Sequence, residues 1–167
     1  MKKFKKQSKN NKGFSLVELI IVVAIMAILV GILAPQYVKY VERSRQSADL
    51  SNMQNLVQAL KVANSDGLYV INDGVYTIKM TTTGTTISST DTATDYITAI
   101  NEYTEETFKK VGEENTNITL KSSRWNAKGS TGTGGTKGTI SATINISGDS
   151  FKVTYDPTDL MTSGAGN

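Results

Sequence analysis

Glu18 is the only charged residue between Phe14 and Val38, and the sixteen residues that follow it, Leu19 to Ala34, are apolar throughout. A carboxylate at such depth in a membrane segment costs about 3 kcal/mol on insertion scales, so it needs a cationic partner and marks function. The run itself offers no Lys, Arg or His, so that partner must come from a new amino terminus or from another chain. Chemistry of other kinds lacks its usual parts. The sequence holds no Cys and no His, and no paired-carboxylate motif, which removes the commonest zinc ligands and nucleophile–base pairs. The acids of Glu102, Glu105, Glu106, Glu113 and Glu114 read as a solvated face, since nothing in their spacing fixes a ligand geometry. No catalytic residue, cofactor site or metal site is expected.

The elements that must position Glu18 are a leader and a helix. Lys2, Lys3, Lys5, Lys6, Lys9 and Lys12 precede the run without one acid, which keeps that end in the cytoplasm and sends the C-terminal bulk outward. The apolar run supplies the roughly 20 residues a helix needs to cross a bilayer core. It is too long for an ordinary secretory signal, whose apolar core is about 7 to 15 residues with its cleavage site beyond it. Here the break, Lys12-Gly13, comes before the run. Gly31 and Pro35 weaken the helix, by about 1 and 3 kcal/mol relative to Ala in an exposed interior, and predict a kink near Ile32 to Gln36 instead of an end.

Gly13-Phe14-Ser15-Leu16-Val17-Glu18, followed by that run, resembles the processing signal of type IV pilins and pseudopilins (the class III signal peptide of prepilins), with Ser15 where Thr is commoner. The resemblance covers Lys12 to about Ser65. It implies cleavage between Gly13 and Phe14 by a membrane aspartyl peptidase, N-methylation of Phe14, and pairing of Glu18 with the Phe14 amine of a neighbouring subunit during assembly. It also implies that Gly31 and Pro35 mark where the helix can bend or melt. A C-terminal disulfide loop, common in Gram-negative pilins, is ruled out by the lack of cysteine. That lack and the long lysine-rich leader look more like a Gram-positive, clostridial pilin.

The formal charge of +3 describes the leader. Without Met1–Gly13, Lys plus Arg falls from 18 to 12 against 15 Asp plus Glu, a net charge of −3, so the basic whole-chain balance is no argument for nucleic-acid binding. At 167 residues there is room for one domain beyond the anchor.

After Pro35 the pattern turns amphipathic. Leu50, Met53, Leu56, Val57, Leu60 and Ala63 make a stripe, Lys39, Glu42, Arg43, Arg45, Gln46 and Gln54 the polar remainder, and Asn64-Ser65-Asp66-Gly67 a stop. Phe14 to Ser65 would be one helix of roughly 75–80 Å. Leu68 to Met80 reads as two short strands about Asn72-Asp73-Gly74, and Thr81 to Thr94 as an exposed loop. Tyr96, Ile97, Ile100, Tyr103, Phe108 and Val111 fit a second helix with Asp95 in its first turn, Lys109 and Lys110 in its last and Gly112 as its cap. Ile118 to Ser122 is a candidate strand, and Trp125 covers a core edge. Gly129 to Gly138 is no phosphate loop, since no Gly-Lys pair precedes a Ser or Thr. Ile140, Ala142, Ile144 and Ile146, a Gly148-Asp149 turn, then Phe151, Val153 and Tyr155 form the clearest strand pair. Asp156 to Asn167 reads as a surface end.

The expected fold is α+β: a long N-terminal helix, half transmembrane and half amphipathic, packed on a small antiparallel sheet. The expected divisions are a cleaved leader 1–13, a transmembrane and filament-core helix 14–38, and an extracellular head 39–167 with its amphipathic helix 39–65. The resemblance implies a non-enzymatic subunit of a surface fibre for adhesion, motility or biofilm. Its partners would be copies of itself, the peptidase and N-methyltransferase, an assembly ATPase and platform, and the membrane before assembly. The rivals are a pseudopilin of a secretion or DNA-uptake machine and a minor tip pilin acting as an adhesin.

Overall fold

A computed structural model describes residues 13–90, 92, 95–127 and 136–157. The leader before Gly13, most of the Gly129–Gly138 stretch and the tail beyond Pro157 lie outside them. Among the described residues the order is α1 (Leu16–Asp66), β1 (Gly74–Thr81), β2 (Thr85–Ser89), α2 (Asp95–Thr104), β3 (Asn126–Ala127), β4 (Thr136–Lys137), β5 (Thr139–Ser147) and β6 (Ser150–Asp156). By internal contacts the chain divides into two units, Met1–Tyr40 and Val41–Asn167.

In the first unit, α1 runs from Leu16 without interruption through Pro35, and every described residue up to Tyr40 is exposed. Leu19, Ile25 and Leu33 each leave more than half of their surface uncovered. The helix is long and apolar enough to cross a membrane.

The second unit is an α+β layer. Its sheet has the order β2-β1-β5-β6, every pair antiparallel. Alternation sorts the two faces. Tyr76, Ile78 and Met80 on β1 stand opposite Ile144, Ala142 and Ile140 on β5, and all six are fully buried. Met53, Leu56, Val57, Ala59 and Leu60 of α1 join them in one hydrophobic cluster, with Ala63 also buried. The predicted stripe is therefore the spine of this core, and Leu50 is partly buried beside it. The helix ends where the sequence places its stop: Gly67 adopts φ of 70°, and Asp66 Oδ1 accepts the Leu68 amide at 2.9 Å. The expected β5–β6 hairpin forms, with Ile144 opposite Val153 and Ile146 opposite Phe151.

Four expectations are corrected. Leu68 to Asp73 is irregular, so Asn72-Asp73-Gly74 turns no hairpin; Asp73 Oδ1 instead accepts the Gly148 amide at 2.9 Å, tying this segment to the β5–β6 turn. The hairpin lies further on. Thr81 and Gly84 close it (Thr81 N to Gly84 O, 2.8 Å), and β2, within the stretch read as an exposed loop, pairs with β1 and buries Thr85 and Ile87. The second helix stops at Thr104, because Glu105 takes the left-handed conformation (φ 58°). Phe108 still reaches the core, held by Asn101, whose amide accepts the Phe108 N–H and donates to its carbonyl, both at 2.8 Å. Lys109, Lys110 and Gly112 therefore close no helix.

The fourth correction is Ile118 to Ser122, which is no strand although Ile118, Leu120 and Ser122 are buried. Leu120 N donates to the Thr81 carbonyl at 2.9 Å, and the next two amides go to a side chain. Asp49, fully buried in α1, accepts Lys121 N (2.7 Å), Ser122 N (3.0 Å) and Trp125 Nε1 (2.9 Å), while Glu42 accepts the Ser122 hydroxyl. Trp125 is buried, as expected of a core-edge residue.

Candidate functional site

Gly13, Phe14 and Ser15 precede the first turn of α1 in non-helical conformation, and Phe14 is 88% exposed. The Gly13–Phe14 peptide thus stands clear of regular structure. No atom beyond its chain neighbours lies within 4 Å of where a Gly13 Cβ would sit.

Ser15 and Glu18 open the helix together. Leu19 N donates to the Ser15 carbonyl at 3.3 Å, and Ser15 N donates to Glu18 Oε2 at 2.9 Å. This is the reciprocal arm of a capping box, in which an acid three residues into the helix satisfies the amide of the cap. Within one chain, then, Glu18 has a neutral local donor in place of a cation. The signal was present as Ser15-x-x-Glu18. The exposed carboxylate also sits at the positive end of the helix dipole, where a negative charge is favoured.

Gly31 and Pro35 are four residues apart, the spacing of one helical hydrogen bond. Pro35 has no N–H to donate to the Gly31 carbonyl, and its ring crowds that same carbonyl. α1 nonetheless stays helical through both, so the end of the helix lies elsewhere. From Leu19 to Ala34 the helix thus presents an apolar surface all round, with the Glu18 carboxylate just before it.

The acids of the second unit are not gathered into a centre. Glu102 accepts the Tyr69 hydroxyl, and Glu114 Oε1 accepts Thr83 Oγ1 at 2.7 Å. Among the described residues no group of three or more acids is placed to hold a metal ion. Asp49 and Glu42, which sequence reasoning did not single out, bind backbone and side chains of their own unit.

Residues 8–34 match the family described as the prokaryotic N-terminal methylation motif. The chain therefore carries the class III signal peptide of type IV pilins and pseudopilins, and its N-terminal end is of that class. The motif supports a protein of the pilin or pseudopilin kind, which is generally structural, and the apolar helix fits a membrane-anchored precursor. No curated protein and no solved structure matches the chain.

Proposed function

We propose that this chain is the structural subunit of a type IV pilus. The observation that carries the reading is the methylation motif lying at the head of a helix whose apolar surface is uncovered from Leu16 to Val38. Burying such a surface is favourable by about 25 cal/mol per Å². A bilayer can cover it before assembly and other copies of the helix after it. Prepilin peptidase cuts after Gly13 on the cytoplasmic side and methylates the new Phe14 amine. An assembly ATPase and platform then move the subunit from the membrane into a surface fibre, with residues 14–38 forming its core and the head outside.

In this reading Glu18 exchanges partners. In the single chain it accepts the Ser15 amide; in the fibre it meets the Phe14 amine of a neighbour, an ion pair that is strong in a low-dielectric core and weak in water. Gly31 and Pro35, where one helical hydrogen bond is missing, are the place for the helix to yield as subunits pack. The test is the intact mass of protein sheared from the cell surface. A chain beginning at N-methyl-Phe14 supports the reading, and an N-terminus downstream of the apolar run refutes it. Electron microscopy of surface fibres, with this subunit identified in them by mass spectrometry, separates a pilin from a pseudopilin.

A further inference from the structure

A groove runs along the outward side of α1 in the second unit. At one end a cavity of about 120 Å³ is lined by Asn52, Asn55, Thr104, Glu106 and Asn117 among others. Asn55 and Thr104 also line the next pocket, of about 330 Å³, with Gln58 and Tyr103. Gln58 and Val62 continue into a third, of about 290 Å³. From Asn52 to Val62 this is about 15 Å of helix at 1.5 Å per residue. The second and third pockets are near the lower bound of roughly 300 Å³ for small-molecule sites, and the first is smaller.

The lining leaves polar side chains open to solvent or to a ligand. Among the described residues, the side-chain amides of Asn52, Asn55, Gln58 and Asn117 make no hydrogen bond, whereas the Asn101 amide nearby uses both ends on Phe108. Each free amide offers two donors and two acceptor lone pairs. Beside them Tyr103 is held as a fixed platform: its hydroxyl donates to Asp66, its ring meets Tyr69 edge-on at 6.4 Å, and 38% of it is exposed. A held aromatic ring lowers the ordering cost of a ligand. The first two pockets contain no basic residue, and Glu106 opposes an anion.

We propose that this groove binds a neutral polyhydroxylated ligand, a short uncharged oligosaccharide. Its hydroxyls would pair with Asn52, Asn55, Gln58, Asn117 and Glu106, and one sugar face would lie on Tyr103. The site belongs to the head alone and does not depend on how the N-terminal helix is used.

The test uses the full chain in micelles of a detergent without a sugar headgroup, such as lauryldimethylamine oxide. Cellotriose, maltotriose and chitotriose are titrated by calorimetry, with trigalacturonate as the acidic counterpart. At least one neutral trisaccharide is expected to bind, and Asn55→Ala with Gln58→Ala to weaken it by about tenfold, 1.4 kcal/mol, or more. Both positions are exposed, so the unfolding midpoint should hold. Tyr103→Leu should also weaken binding. Absence of binding by all three, trigalacturonate binding as tightly as the best of them, or full affinity in the double variant would each overturn the proposal. So would tighter binding of an uncharged Ser/Thr/Gly peptide, which would make the groove a peptide site.

Discussion

The two parts of α1 handle apolar surface in opposite ways. Between Leu16 and Tyr40 the helix is apolar nearly all round and wholly exposed; from Val41 to Asp66 it shows one apolar stripe, and that stripe is buried. Each part holds one instructive acid. Glu18 is exposed and accepts a single backbone amide, while Asp49 is fully buried and accepts three donors. A helix that is hydrophobic all round belongs in a membrane or in the interior of a larger body, whereas an amphipathic one completes its own domain. The first part is therefore built for surroundings that a single chain does not supply, and the second is finished within the chain.

The largest effect that could break this comparison falls on assembly. Glu18→Val removes a charge and improves membrane insertion, so the variant should be made, inserted and cut after Gly13. It should lose addition to the fibre, because an incoming Phe14 amine would find no carboxylate, and Glu18→Gln should rescue little. Electron microscopy counts the outcome: few or no fibres are expected, and wild-type numbers would show that Glu18 is dispensable for register.

Deletion comes next. Removing Met1 to Tyr40 should leave a soluble, monomeric domain with a cooperative thermal transition, since the stripe from Met53 to Ala63 is covered by its own sheet. Removing residues through Leu60 should abolish that transition. A domain that still unfolded cooperatively after the longer deletion would show that the helix is not its spine.

What could be read from the sequence follows the same division. Gly13, Phe14 and Glu18 stand out because a processing signal is linear, and the apolar run needs no tertiary context to be seen. The stripe on α1 and the β5–β6 hairpin were legible because period and burial agree along them. β2 was not: of Thr85 to Ser89 only Ile87 is apolar, and its partner strand, not its own composition, makes it a strand. The end of α2 was hidden by a left-handed Glu105, where the expected signal is glycine. Ile118 to Ser122 has a strand's alternation, yet its Lys121 and Ser122 amides are held by Asp49, 72 and 73 residues earlier in the chain. No local window contains that bond.

Asp49 therefore gives the next prediction. Asp49→Ala strips the acceptor from Lys121 N, Ser122 N and Trp125 Nε1, two of them buried, and leaving a buried donor unmatched costs about 1–3 kcal/mol. With two buried donors left unmatched, the full chain in micelles should lose about 2–6 kcal/mol of unfolding free energy. Asp49→Asn keeps one acceptor oxygen and should lose less. Chemical denaturation followed by Trp125 fluorescence reads both. A loss under 1 kcal/mol for the Ala variant would mean that the 121–125 segment is held by packing and not by the carboxylate.

The smallest expected effect uses Glu18→Val again, now on stability. In the single chain Glu18 accepts one exposed amide at a helix start, and a helix-dipole contact of that kind contributes about 0.3–1 kcal/mol at an exposed site. That contribution is local to the first turn of α1 and falls in the unit that ends at Tyr40, outside the buried cluster. The same denaturation experiment should therefore place the Trp125-reported transition of Glu18→Val within about 0.5 kcal/mol of wild type, the usual span for a surface substitution. A variant that makes no fibres while its head unfolds as before would locate the function of Glu18 between subunits. A parallel loss of head stability would instead make the fibre defect a folding defect, and the contrast between Glu18 and Asp49 would fail.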